Sequence, residues 1–269
     1  MKRYKGKHLK FDLHCHTKEG SLDAKVPVAE YARTFKTLGY DGFMITDHNS
    51  YKGCKAWDKI KNSPEFKDFC VLRGIEYDTR DAGHILVIMP DDLYLPILHI
   101  RGMRLSNLIR IVHHFGGILG LAHPFGISSS SAMGFKKMNK KLIKDLDFIE
   151  TFNTCESKES NINALKLAKE YNLPGFAGSD CHVTDYIGMA STNISAKITC
   201  NNDFIKALKE SVPISAEGIE RGETIKGKMK GHWTSIWGYR IYNRGVGKLI
   251  YPYRKFLHNK LLVNMLHHQ

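Results

Sequence analysis

Residues 11–49 read FDLHCHTKEGSLDAKVPVAEYARTFKTLGYDGFMITDHN, a strand, a helix and a second strand in close succession. FDLHCH has the apolar, β-prone character of a strand running into a polar loop. Val28, Tyr31, Ala32, Phe35 and Leu38 follow at helical spacing, with Pro27 near the helix start and Gly39 as its stop. GFMITDHN is then a second strand. Both strands end in imidazoles, His14 and His16 on the first and His48 on the second.

The pattern continues along the chain. A Lys-rich helical stretch covers residues 51–68, and FCVLRGIEYDT is a third strand carrying Glu76. Only RDAG separates it from HILVIM, too few residues for a parallel crossover, so that segment is expected to return antiparallel, with His84 at the same end as Glu76. A helix in LSNLIRIVHHFGG precedes strand GILGLAHP, which ends at His123. After a Ser-rich loop at residues 128–131 come strand DFIETFN, a helix around residues 157–171, strand GFAGSDCH with Asp180 and His182, then ASTNISA and the helix NNDFIKALKES. Alternating strands and helices predict an α/β fold, and ligand-type residues at successive strand ends favour a barrel over an open sheet. No G-x-G-x-x-G fingerprint supports a dinucleotide fold.

Composition narrows the class. The 269 residues are 42% apolar, enough for a closed core. No stretch approaches the roughly 20 apolar residues that cross a bilayer, and MKRYKGKHLKFD lacks a secretory h-region, so a cytoplasmic enzyme is expected. The six cysteines show no C-x-x-C spacing and read as reduced thiols. Cys15 and Cys181 lie between ligand-type neighbours, so extended backbone turns both thiols away from them. The net charge is +13, and the segment from Arg221 onward holds most of it: Arg221, Lys226, Lys228, Lys230, Arg240, Arg244, Lys248, Arg254, Lys255 and Lys260 face only Glu223.

Imidazole nitrogens and carboxylate oxygens suit zinc, manganese or iron, and H-x-H on a strand puts both rings on one face. Taken in order, D-L-H-x-H-T, T-D-H-N, G-I-E, H-I-L, A-H-P and G-S-D-x-H resemble the polymerase and histidinol phosphatase (PHP) domain family over roughly residues 10–217. The resemblance implies a distorted (β/α)7 TIM-like barrel, the PHP fold, holding two or three divalent metal ions (Zn, Mn or Fe) and hydrolysing a phosphate ester. It implies one ion at His14, His16, Glu76 and Asp180, a second at Glu76, His84 and His123, and a third at His48, His182 and a first-loop carboxylate. The family places an Asp where this chain has Ser21; Glu19 is the preferred substitute, and Asp23 the alternative. Asp12 and Asp47 are expected to orient His14 and His48 from behind. Glu150 and Asn153 are candidate pocket residues, and His113 and His114 read as partners of a helix C-terminus rather than ligands.

Ions in such a cluster would bring a bridging water toward ionisation near neutrality, with Asp180 and His182 handling the proton and Glu76 as the bridge. A small phosphorylated substrate is the expected partner; a nuclease on the same metals and a noncatalytic binding module are the alternatives. The division expected is a hydrolase barrel over residues 1–219 and a basic aromatic tail over residues 220–269. From Tyr253 onward Leu257, Leu261 and Met265 recur at i, i+4 steps, the pattern of an amphipathic helix. Packing on the barrel, an anionic membrane surface and nucleic acid all remain open as roles for this tail.

Overall fold

The computed structural model describes residues 8–91, 93–126, 131–221 and 245–267. Among these residues nine strands form one sheet in the order β7-β6-β5-β4-β3-β2-β1-β8-β9. The strands are β1 Leu9–Cys15, β2 Gly42–Ile45, β3 Cys70–Asp78, β4 His84–Ile88, β5 Ile118–Leu121, β6 Phe148–Asn153, β7 Gly175–Gly178, β8 Ala190–Ile194 and β9 Ile214–Gly218. Helices α1 Val28–Thr37, α2 Lys52–Ile60, α3 Leu105–His114, α4 Ser131–Lys137, α5 Lys158–Glu170 and α6 Asn201–Lys209 lie in connections between strands, and α7 Tyr251–His267 comes after β9. Strand β9 has no counterpart in the sequence reading, because ISAEG carries too short a pattern to separate from a loop. The Ser128–Ser130 stretch and most of the aromatic tail, Trp233, Trp237, Tyr239 and Tyr242 included, lie outside the described residues.

Strands β1, β2 and β3 are mutually parallel, as are β5, β6 and β7. Strand β4 runs against both its neighbours, with Asp78 opposite His84, so the short RDAG turn does force the expected return. The seven strands β1–β7 nearly close a barrel. At the upper end β7 reaches β1 through Asp180 N–H to His14 O (2.9 Å) and His16 N–H to Cys181 O (3.1 Å). Lower down, β8 wedges against β1 antiparallel, and the Thr192 hydroxyl bonds both backbone groups of Ala177 on β7. Gly178 permits this closure: a Cβ there would overlap the His14 side chain and the Glu150 carboxylate.

The barrel interior is filled by Phe11, Leu13, Met44, Leu72, Leu86, Ile88, Ile118, Phe148 and Phe176. Alternate residues, including Phe43, Ile45, Val71, Ile75, Ile85 and Val87, face the helices and pack against Tyr31, Phe35 and Trp57. Period-2 geometry extends the interior columns upward. Leu72 is followed by Gly74 and Glu76, Leu86 is preceded by His84, Phe148 leads to Glu150, and Phe176 leads to Gly178 and Asp180. Each column therefore starts apolar and ends polar at the same mouth. Strand β1 is the exception, because its register slips between Asp12 and Cys15. That irregularity brings His14 and His16 into the barrel although Phe11 and Leu13 already face inward, and it turns Cys15 to the outer core.

Candidate metal centre

The strand ends deliver a compact group of donors. His14 and His16 approach with Nε2 atoms 3.1 Å apart, and Asp180 Oδ1 lies 3.5 and 3.1 Å from them. Glu76 stands at the centre with its two oxygens facing different rings. Oε2 is 3.6, 3.3 and 3.0 Å from His14 Nε2, His16 Nε2 and His48 Nδ1; Oε1 is 2.8 Å from His84 Nδ1 and 2.9 Å from His123 Nε2. Donors about 2.1 Å from a shared ion stand roughly 3.0–3.4 Å from each other, and the separations here, 2.8–3.6 Å, centre on that spacing.

The far side of each ring fixes which nitrogen presents its lone pair. His14 Nδ1 meets Glu150 Oε1 at 2.9 Å. His16 Nδ1 meets the Ser21 hydroxyl at 3.2 Å, and that hydroxyl donates to Asp47 Oδ1 at 3.0 Å. His182 Nδ1 donates to the Asp180 carbonyl at 2.9 Å. With these Nδ1 protons engaged, the Nε2 lone pairs of His14, His16 and His182 point into the cluster. Glu76 Oε2 is buried and accepts no hydrogen bond among the described residues, despite three surrounding nitrogens. Acceptors crowded around a shared space without donors between them fit a divalent cation.

Ionisation follows the same crowding. Burial works against charged imidazoles, yet Glu150, Asp180 and Glu76 outweigh it at His14, and Glu76 with Asp78 does so at His84, so both lie well above the ordinary histidine range. His48 and His123 are raised in the same way, and His182 is pushed up to about 9 by Asp23 and Asp180 against its burial. His16 goes down, through burial and the neighbouring His182 and His48. Burial would raise Glu76 and Asp180, but the surrounding rings hold both well below the usual carboxylate range. Burial lifts Asp12 to about 6. Without metal, protons bind where a cation would.

The ligand-type residues cluster as four overlapping sets: His14, His16 and Asp180; His14, Glu76 and His123; His48, Glu76 and His84; and His16, His48 and His182. The first-loop carboxylate is a correction. Glu19 turns away and accepts the Val28 N–H with both oxygens, at 3.2 and 3.1 Å, because α1 starts there with unsatisfied donors and a positive dipole end. Asp23 takes the place instead, with Oδ2 3.4 Å from His182 Nε2 and 3.7 Å from His48 Nε2.

The supporting residues also differ from expectation. Asp47 secures the first loop, accepting from Thr17 N–H, the Thr17 hydroxyl and Ser21, and so reaches His16 rather than His48. Asp12 holds backbone, accepting from the N–H groups of His14 and Ser179, and does not touch the His14 ring. The carboxylate behind that ring is Glu150, which also accepts from His123 N–H and from the Asn153 amide. Asn153 lies 3.4 Å from Asp180 Oδ2. His113 stays outside the site, paired with Asp147 at the end of α3.

Two contributors went unread in the sequence. Ser21 stands at the position that departs from the family spelling, and it passes the hold of Asp47 on to His16. Asp78 meets His84 Nε2 at 3.1 Å and Arg101 at 2.9 Å. It lies two residues beyond Glu76 on the same strand face, a period-2 signal that could have found it. Asp180 and His123 adopt φ of 52° and 28°, left-handed values that cost a side-chain-bearing residue about 1–3 kcal/mol and are concentrated at functional sites.

One pair of substitutions separates the two loop carboxylates. Asp23→Asn is expected to lower metal content and reduce turnover about 10- to 100-fold. Glu19→Gln is expected to keep both and to lower stability by about 1 kcal/mol through the weakened helix start. Metal analysis beside thermal melting decides, and the opposite ranking would return Glu19 to the site.

Comparison with known proteins gives a consistent picture. A family profile described as "PHP domain" matches residues 12–151, and one described as "PHP-associated" matches residues 158–213. An uncharacterized protein of Methanocaldococcus jannaschii is 27% identical over 168 residues, 57% of this chain and 63% of the relative. The chain thus spans less than two thirds of that relative's length. A two-domain Bacteroides vulgatus protein containing a predicted PHP-like metal-dependent phosphoesterase aligns with TM-score 0.61 and 19% identity, over 80% of this chain and 65% of that one. The lesion-specific endonuclease Q of Pyrococcus furiosus aligns with TM-score 0.59 and 17% identity, over 78% of this chain and 57% of that one. At these identities the structural matches establish the fold.

Proposed function

This chain belongs to the PHP domain family, and on that premise we propose that it hydrolyses a phosphate ester with two or three divalent ions held by its strand-end residues. The observation that carries the reading is Glu76: a buried carboxylate with one oxygen toward His84 and His123 and the other toward His14, His16 and His48. His14, His16 and Asp180 would hold one ion, His84 and His123 a second, and His48, His182 and Asp23 a third, with Glu76 as the shared ligand. Bound there, divalent cations supply Lewis acidity toward phosphoryl oxygens and an acidified water.

The chain's own residues do the rest. Glu150, Ser21 and the Asp180 carbonyl hold the His14, His16 and His182 rings in one tautomer, so the site needs no reorganisation when substrate arrives. The apolar column below Glu76 and His84 closes the floor against water. His48, His182 and Asp23 are the accessible members of the cluster, with side chains 29, 27 and 58% exposed, and mark its open side. Asp180 and His182 are adjacent there, the ring Nδ1 lying 3.7 Å from the carboxylate, and in a centre of two ions, which leaves the His182 ring unligated, its Nε2 would be the atom that passes a proton to the departing oxygen.

A nuclease on the same centre is the second reading, favoured by the net charge of +13. Protein reconstituted with zinc, manganese or iron should be offered phosphomonoesters and 5′- and 3′-labelled oligonucleotides side by side. Release of inorganic phosphate from small esters supports the first reading, and shortened oligonucleotides support the second. Metal-loaded protein that hydrolyses neither would leave a noncatalytic binding module. Among the described residues no helix is long and apolar enough to cross a membrane.

A further inference from the structure

Helix α7 has two apolar faces, and the body of the protein uses one. On the inner face Leu261, Leu262 and Met265 pack against the main core. His258 is buried with Nε2 2.7 Å from the Ile100 carbonyl, and the Tyr251 ring lies under the Arg80 guanidinium at 3.8 Å. These contacts fix how the helix is turned. At 100° per residue, Tyr253, Phe256, Lys260 and Val263 fall on the opposite side, with Leu249 in the turn just before. Leu249, Tyr253, Phe256 and Val263 are 81, 64, 60 and 53% exposed, four of the ten large apolar side chains that the described surface leaves in water. Lys260 is exposed within this stripe, Lys248 and Lys255 are exposed on the flank between the two faces, and residues 245–267 contain no Asp or Glu.

We propose that this outer face of α7 docks the protein on an anionic lipid bilayer. The helix of 17 residues is about 25 Å long, and it is held parallel to the protein surface, the orientation of an interfacial rather than a spanning helix. Phe256, Val263 and Leu249 enter the acyl boundary, Tyr253 rests at headgroup depth, and the lysine stems extend so that their ammonium groups reach lipid phosphates. Charge separates this partner from the others. A second copy of the same face would bring a further Lys260, with Lys248 and Lys255 on the flank, to a contact in which residues 245–267 offer no carboxylate to meet them. A nucleic-acid strand would gain nothing from Leu249 and Val263, which have no ring on which a base can stack. The inner face of the same helix connects it to the chemistry: His258 binds the Ile100 carbonyl, and Arg101, the next residue, pairs with Asp78 behind His84.

The full chain should be sedimented with vesicles of phosphatidylcholine alone and of phosphatidylcholine with about one-third phosphatidylserine, at low and high salt. Binding is expected to the anionic vesicles only and to weaken with salt. The double substitution Phe256→Asp with Val263→Asp should weaken it about tenfold or more, because both side chains leave the interface, with metal content and melting temperature unchanged. Lys255→Glu with Lys260→Glu supplies a second test that alters no apolar contact and should abolish the preference for anionic lipid. The proposal is overturned by absence of vesicle binding, by equal binding to neutral vesicles, or by wild-type binding of both variants. It is also overturned if the variants instead lose self-association in sedimentation velocity, or oligonucleotide binding, while vesicle binding is unchanged. None of these readouts depends on hydrolysis, so failure here leaves the phosphoesterase reading standing.

Discussion

Glu76→Gln is expected to lower phosphoester hydrolysis by more than about a thousandfold in a protein that still folds. The substitution keeps shape and removes charge. In the native site both oxygens are acceptors, one toward His84 and His123 and one toward His14, His16 and His48. An amide offers one acceptor oxygen and cannot ligate a cation through its NH2 group, so the ion positions proposed on either side of Glu76 lose their shared ligand. Metal content should fall with turnover. Glu76 lies among five imidazoles of which four, His14, His48, His84 and His123, have raised proton affinity, so loss of its charge leaves those four poorly compensated, and a lower melting temperature of the metal-free variant is expected. Near-normal turnover with full metal content in Glu76→Gln would refute the bridging role.

Exhaustive chelation should remove activity altogether, and added zinc, manganese or iron should restore it. The accompanying protons provide a check independent of turnover. In the metal-free protein His14 and His84 lie well above the ordinary histidine range and His182 near 9, so these rings carry protons at neutral pH that a cation must displace. The sign follows: apparent metal affinity rises with pH up to about 9 and weakens in acid, and mixing protein with metal near pH 7 releases protons into weak buffer. Affinity unchanged between about pH 6 and pH 8, or hydrolysis surviving verified metal removal, would contradict the assignment.

Much of the fold is legible locally. Helical spacing from Val28 to Leu38, the brevity of RDAG and the apolar strands each have a nearest-neighbour cause, and they recover α1, the reversed β4 and the barrel strands. The donors inside the barrel are legible for the same reason, since period 2 ties Glu76 to Leu72 and His84 to Leu86. The first loop resists such reading. Glu19 and Asp23 are both carboxylates within a few residues of His16, and what separates them is the position of the α1 N-terminus, which claims Glu19. Glu150 likewise stands 136 positions from the His14 ring it orients, a distance that no local pattern spans.

The sequence by itself determined the order and facing of the elements, the residue types at the barrel mouth and the excess of positive charge after residue 220. These depend on periodicity, turn length and composition, which act over a few residues. The tertiary structure decided that a slip in β1 turns both His14 and His16 inward, that Asp23 rather than Glu19 meets His48 and His182, and that α7 packs by one apolar face and exposes the other. Those outcomes depend on which distant groups compete for the same donor, cavity or surface, and that competition arises only when the chain has closed on itself.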